Sequence, residues 1–154
     1  MSEHKELPDN LASAFSDIDI KRYVKLIGNK PHYDFIGISK VVASNLQKEI
    51  SDIIEKQKKV SILDFIHIAE NFRIIKLNLN FQKKFETFLD HADKCFYDLN
   101  KAVSNNTIED EDDIEEAFNM VVSQLSDEFG IIYNDYIINR KLHVIQRVLN
   151  KMGW

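Results

Sequence analysis

From Phe35 onward, large apolar residues recur three or four positions apart, the period of a helix buried on one side. Ile38, Val41, Val42, Leu46, Ile50, Ile53 and Ile54 mark the first such stretch, expected to end near Gln57 to Val60. Ser61 suits the N-cap of the next helix, with Asp64 in its first turn and Leu63, Phe65, Ile66, Ala69, Phe72 and Ile75 on its apolar side. The segment Lys76 to Asn80 alternates like a strand for a few residues. A lone short strand would have no partner, so a helix end, kink or turn is expected there. Phe81, Phe85, Phe88, Ala92, Phe96, Leu99 and Val103 then give the clearest helical period in the chain, broken by Ser104 to Thr107. Ile114, Ala117, Phe118, Val121, Val122, Leu125 and Phe129 resume it up to Gly130, a helix stop. A last helix, capped by Asn134 or Asp135, is lined by Ile131, Ile132, Tyr133, Tyr136, Ile137, Leu142, Ile145, Val148, Leu149 and Met152.

Upstream, Ile20, Tyr23, Val24 and Ile27 fit the buried stripe of a short helix capped by Asp17 or Asp19 and stopped at Gly28, with Asn29 to Tyr33 as a loop. Residues 1–8 are polar and aperiodic up to the Pro8 breaker and are expected to fray. The pattern as a whole predicts an all-α fold: a single-domain bundle of about six helices over 9–154, with the Phe81 to Val103 helix central.

Composition supports a chain that folds on its own core. With 154 residues, 44% hydrophobic, four Gly and two Pro, folding removes roughly 70% of the unfolded surface from water, so neither disulfides nor a structural metal are required. The single Cys95 forbids an intramolecular disulfide and a thiolate-rich zinc site, and points to a reducing compartment. No apolar leader core follows basic residues near Met1, and no run reaches ~18 apolar residues. A cytoplasmic location and no membrane contact are expected.

Charge changes the picture most. The net charge of -5 argues against a dedicated nucleic-acid binder. The sign is also segregated. Glu109, Asp110, Glu111, Asp112, Asp113, Glu115 and Glu116 are seven acids in eight positions, while Arg140, Lys141, Arg147 and Lys151 close the chain. One or two acids would suit the first turn of a helix, where unpaired N–H groups favour negative charge. Seven repel one another, so the surplus reads either as a solvated face or as a surface built for a basic partner. The run lacks the Asp-x-Asp-x-Asp-Gly frame of a calcium loop.

Other chemistry is sparse. Asp64, His67 and Glu70 stand three apart and can share a helix face, but a carboxylate-bundle metal site needs a second such set. His91 has Asp90 and Asp93 beside it and no carboxylate three residues earlier, so these four residues are low-ranking metal candidates and no metal is assigned. Cys95 lies one turn from His91 and next to Lys94, a spacing that allows contact; its position beside an apolar stripe favours a buried thiol. Gly28, Gly37, Gly130 and Gly153 are scattered and form no phosphate-binding loop, and no cofactor is expected. Arg140 and His143 are three apart, closer than the Arg and His that some small helical ribonucleases use, and read as a basic face near a helix end. Tyr133, Tyr136 and Trp154 cluster late; the two tyrosines are expected to be partly exposed, as contact anchors, and Trp154 is either docked onto the bundle or part of a contact.

These features predict a non-enzymatic protein-binding module. One concrete form is an immunity or antitoxin-like inhibitor that covers a basic partner with its acidic helix face, using Glu109 to Glu116 with Tyr133 and Tyr136. Two alternatives stand beside it. One is a small helical enzyme or metal protein with a site around His67. The other is a homodimeric regulator that touches nucleic acid through its basic last helix.

Overall fold

The computed structural model describes residues 7–63 and 68–153. Four α-helices and one hairpin build it: α1 (Asp9–Ser16), a single 3₁₀ turn (Ile20–Tyr23), strands β1 (Val24–Ile27) and β2 (Lys30–Tyr33), then α2 (Phe35–Leu63), α3 (Ile68–Ser104) and α4 (Glu111–Lys151). The all-α expectation holds in outline, and the count of six helices does not. Three long helices replace five of the predicted pieces, a hairpin replaces the sixth, and α1 was not anticipated.

The hairpin corrects the expected helix between Asp17 and Ile27. Ile20, Tyr23, Val24 and Ile27 are spaced for a helix, but Gly28-Asn29 forms a two-residue turn. Gly28 alone takes a positive φ, 66°, at the first turn position, where a twist-matched hairpin needs glycine. Pro31 in β2 costs the ladder nothing. The Asp34 N–H donates to the Tyr23 carbonyl at 2.8 Å, which fixes Tyr23 and Asp34 as a hydrogen-bonded pair. Alternation then puts Leu26 and Pro31 at a position where no N–H is required. Ile27 is exposed at the tip beside Leu26, and only Tyr33 of the two strands is buried.

α2 starts where Asp34 caps it: the Gly37 N–H donates to Asp34 Oδ1 at 2.9 Å. A Cβ on residue 37 would fall 2.3 Å from Asp34 Oδ2, so glycine admits this cap. Asp34→Ala is expected to lower stability by about 1 kcal/mol, read as a shift in the denaturant midpoint with unchanged slope. α2 then runs through Ser61, the expected cap of a new helix, as far as Leu63, and α3 is described from Ile68.

α3 passes through Lys76 to Asn80 without interruption. Leu77 and Leu79 alternate in sequence, yet on a helix they stand on different sides, one half-buried and one exposed. Asn78 between them is buried, and the Tyr136 hydroxyl donates to its Oδ1 at 2.5 Å. α3 stops at Ser104, as the break at Ser104 to Thr107 predicts. Asn106 takes φ 60°, the Thr107 N–H reaches the Ala102 carbonyl at 2.9 Å, and the Asn106 N–H reaches that of Val103 at 3.2 Å. This is a Schellman termination with asparagine in the left-handed position.

α4 overrides two expected boundaries at once. Gly130 is buried in mid-helix, and Asn134, expected to cap a new helix, donates from Nδ2 to the Gly130 carbonyl at 2.7 Å. Phe129, Tyr133 and Tyr136 pack on α3 on both sides of the glycine, and that burial outweighs a glycine penalty of about 1 kcal/mol. The chain therefore goes up α2, down α3 and up α4, with α1 laid against α2 and α4. Phe15 of α1 meets Phe88 edge-on and Phe129 at a tilt, with centroids 6.4 and 6.0 Å away. Leu7, expected in the frayed segment, is half-buried against this core.

Candidate functional site

The acidic run forms the start of α4. Glu109 and Asp110 precede the helix, and the Asp110 carbonyl accepts the first intrahelical bond from Ile114 at 2.9 Å. Ile114 is the plug that seats this turn on the core. Glu109, Asp110, Glu111, Asp112, Asp113 and Glu116 are exposed around it, with Glu115 half-buried. Among the described residues, none of these seven carboxylates makes an ion pair. Asp112, Glu115 and Glu116 line one end of a shallow groove of about 520 Å³ along α4 that continues past Asn119, Met120 and Gln124.

The field of this cluster reaches the hairpin. Burial pushes the Tyr33 hydroxyl above its ordinary value of 10.0, and the charges of Glu111 and Glu115 push it further. Tyr33 stacks on Phe35 at 5.5 Å, and Phe35 lies 6.4 Å from Phe118 of α4. The base of the hairpin thus adjoins the acidic turn. Its exposed tip carries Leu26 and Ile27, the second of which sequence reading assigned to the buried stripe of a helix. The Gly28-Asn29 pair directly after the Tyr23 to Ile27 run is the signal that finds them.

The other expected contact residues are elsewhere. Tyr133 and Tyr136 are buried, and Tyr136 stacks on Phe81 at 4.3 Å, because α4 continues through Gly130 and turns both rings inward. They hold α4 on α3 and are not exposed anchors. Trp154, Asp64 and His67 lie outside the described residues, and Glu70 is placed only as part of the α3 backbone. At the basic end, Lys141 is exposed, while Arg140 is half-buried with Nη1 lacking a hydrogen-bond partner. Among the described residues, no three His, Cys, Asp or Glu converge as a metal site, and no helix is long and apolar enough to cross a membrane.

His91 and Cys95 do meet, as their spacing allows. The Cys95 sulfur lies 3.5 Å from His91 Nε2, and Glu128 Oε2 of α4 lies 2.7 Å from His91 Nδ1. Thiol and carboxylate occupy opposite ring nitrogens, so the three form a line and do not converge on one point. Burial raises the Cys95 pKa above its ordinary 9.0, the charges of Glu128 and Asp98 raise it further, and Lys94 offsets part of this. A protonated thiol is a poor nucleophile. The surrounding backbone N–H groups are engaged within helices and offer no oxyanion donors. Cys95 is therefore expected to react with iodoacetamide more slowly than a free cysteine at pH 8, measured by mass spectrometry; a faster rate would identify an activated thiol.

The exposed acidic turn, the shallow groove beside it and the hairpin base are what this geometry assembles. Comparison of the chain with protein-family models, curated proteins and solved structures finds no match.

Proposed function

We propose that the chain is a protein-binding module whose acidic α4 start covers a basic partner. The observation that carries this reading is a set of seven carboxylates, six of them exposed, none paired within the described residues. Repulsion among them costs stability, and a helix start needs only one or two. Such a surface speeds encounter with a positive partner and confers salt dependence on the association. The reading extends to an inhibitor of the immunity or antitoxin kind. Its carboxylates would then stand where the phosphates of a nucleic acid sit on a basic, nucleic-acid-cleaving protein.

The test uses the full chain immobilised in native-host extract, beside an Asp112→Asn, Asp113→Asn variant, each washed at low and high salt. A basic protein retained by wild type, released by salt and at least about tenfold depleted on the variant supports the reading. Equal retention by both chains overturns it.

A further inference from the structure

Between Ile20 and Tyr33 the chain carries Lys21, Arg22, Lys25 and Lys30 and no Asp or Glu, although acids outnumber Lys and Arg by 25 to 20 overall. Among the described residues, none of these four cations makes an ion pair. The hairpin sorts the stretch by face. Side chains alternate along a strand, so the register puts Val24 and Leu26 with Tyr33 and Pro31 on one face, and Lys25 and Ile27 with His32 and Lys30 on the other. Tyr33 and Val24 join the core at the base, and residues 25–32 are all exposed. Leu26 is 69% and Ile27 57% exposed at the free end of the ribbon, with Lys25 and Lys30 beside them.

Charge and apolarity together identify what this tip fits. A bilayer with anionic headgroups uses both: its phosphates and carboxylates attract the cations, and the boundary between headgroups and acyl chains takes the aliphatic side chains. Lysine stems lie along that boundary while their ammonium groups stay in the headgroup layer. A nucleic acid uses the cations alone and leaves Leu26 and Ile27 in water. A protein hot spot sits in a packed, desolvated centre rich in Trp, Tyr and Arg, whereas this ribbon ends in two aliphatics and a turn. Contact with one leaflet needs no spanning helix. The acidic start of α4 acts on Tyr33 at the hairpin base. The tip stands three residues further along the strands, about 10 Å, and salt screens exposed charges over roughly 8 Å, so repulsion of the same leaflet is damped.

We infer that the hairpin is a membrane-surface anchor. Leu26 and Ile27 enter an anionic leaflet, Lys25 and Lys30 hold its headgroups, and Lys21 and Arg22 add attraction from the base. This surface is separate from the acidic α4 start and does not depend on what that start binds.

The experiment is flotation of the full chain with vesicles of phosphatidylcholine, alone or mixed with phosphatidylserine, at about 0.15 M salt. Wild type is expected to float with the mixed vesicles and not with phosphatidylcholine alone. Lys25→Gln, Lys30→Gln is expected to weaken this binding about tenfold or more, and Leu26→Ser, Ile27→Ser to weaken it at least about tenfold. All four positions are exposed, so circular dichroism is expected to be unchanged. Met120→Ser, an equally exposed apolar site on α4, is expected to bind as wild type does. In a Cys95→Ser background, a polarity-sensitive fluorophore on Asn29→Cys is expected to shift to the blue on mixed vesicles. A chain that does not float with mixed vesicles, or floats equally well after Leu26→Ser, Ile27→Ser, overturns the inference. Binding of an oligonucleotide that needs Lys25 and Lys30, with vesicle binding indifferent to the two aliphatics, overturns it in favour of a plain polyanion patch.

Discussion

Phe129→Ala is expected to cost about 3–5 kcal/mol, a large share of the 5–15 kcal/mol that holds an ordinary domain together. Phe129 is fully buried and touches four rings from three helices: Phe15 of α1, Phe85 and Phe88 of α3, and Tyr133 of α4 itself, with centroids 5.3 to 6.2 Å away. Truncation removes a side chain that α1 and α3 both grip. The remaining rings are fixed by their own helices and cannot close the space. Urea unfolding should show a much lower midpoint at unchanged slope. Phe129→Leu, which refills most of the volume, should recover more than half of the loss. A cost below about 1 kcal/mol for the alanine variant would mean that the bundle collapses into the cavity and is not keyed on this ring.

Tyr136→Phe is expected to destabilise by about 1–3 kcal/mol for the loss of one oxygen atom. The Tyr136 hydroxyl is the hydrogen-bond donor to Asn78 Oδ1, while Asn78 Nδ2 is buried without a partner. Removing the hydroxyl leaves the amide buried and unpaired at both ends. The double variant Asn78→Leu, Tyr136→Phe takes the polar group out as well, and should be as stable as wild type or more so. A double variant weaker than the single one would show that the Asn78 amide is satisfied in a way the geometry does not account for. The comparison separates the value of a hydrogen bond from the cost of burying half of one.

The helical class was legible because it rests on period: the apolar spacing from Phe35 to Ile54 and from Phe81 to Val103 leaves one consistent face, and these residues are buried, or half-buried at Val41, Ile53 and Val103. The break at Ser104 to Thr107 was legible because asparagine adopts the left-handed backbone that ends a helix. Gly130 and the Lys76 to Asn80 segment misled for the converse reason. Their local preference is against helix, and what overrides it is tertiary: a buried Asn78 held by Tyr136 from 58 residues away, and rings packed on each side of a glycine. The hairpin was missed because Ile20, Tyr23, Val24 and Ile27 satisfy a helix template over so short a span that the Gly28-Asn29 turn signal should have outweighed it.

Of the candidate site, the carboxylates were fully legible, since sign and density need no fold. The inward turn of Tyr133 and Tyr136 was not, because it depends on α4 running straight through residue 130.

The start of α4 is proposed as a binding surface and not merely as a solvated helix end. It is tested by the association constant with a captured basic chain, measured for wild type and for Asp112→Asn, Asp113→Asn from about 0.05 M to 0.5 M salt. Wild-type binding is expected to weaken steadily with salt, and the variant to show both a weaker constant at low salt and a shallower dependence. Association that is the same in both chains and indifferent to salt would contradict it.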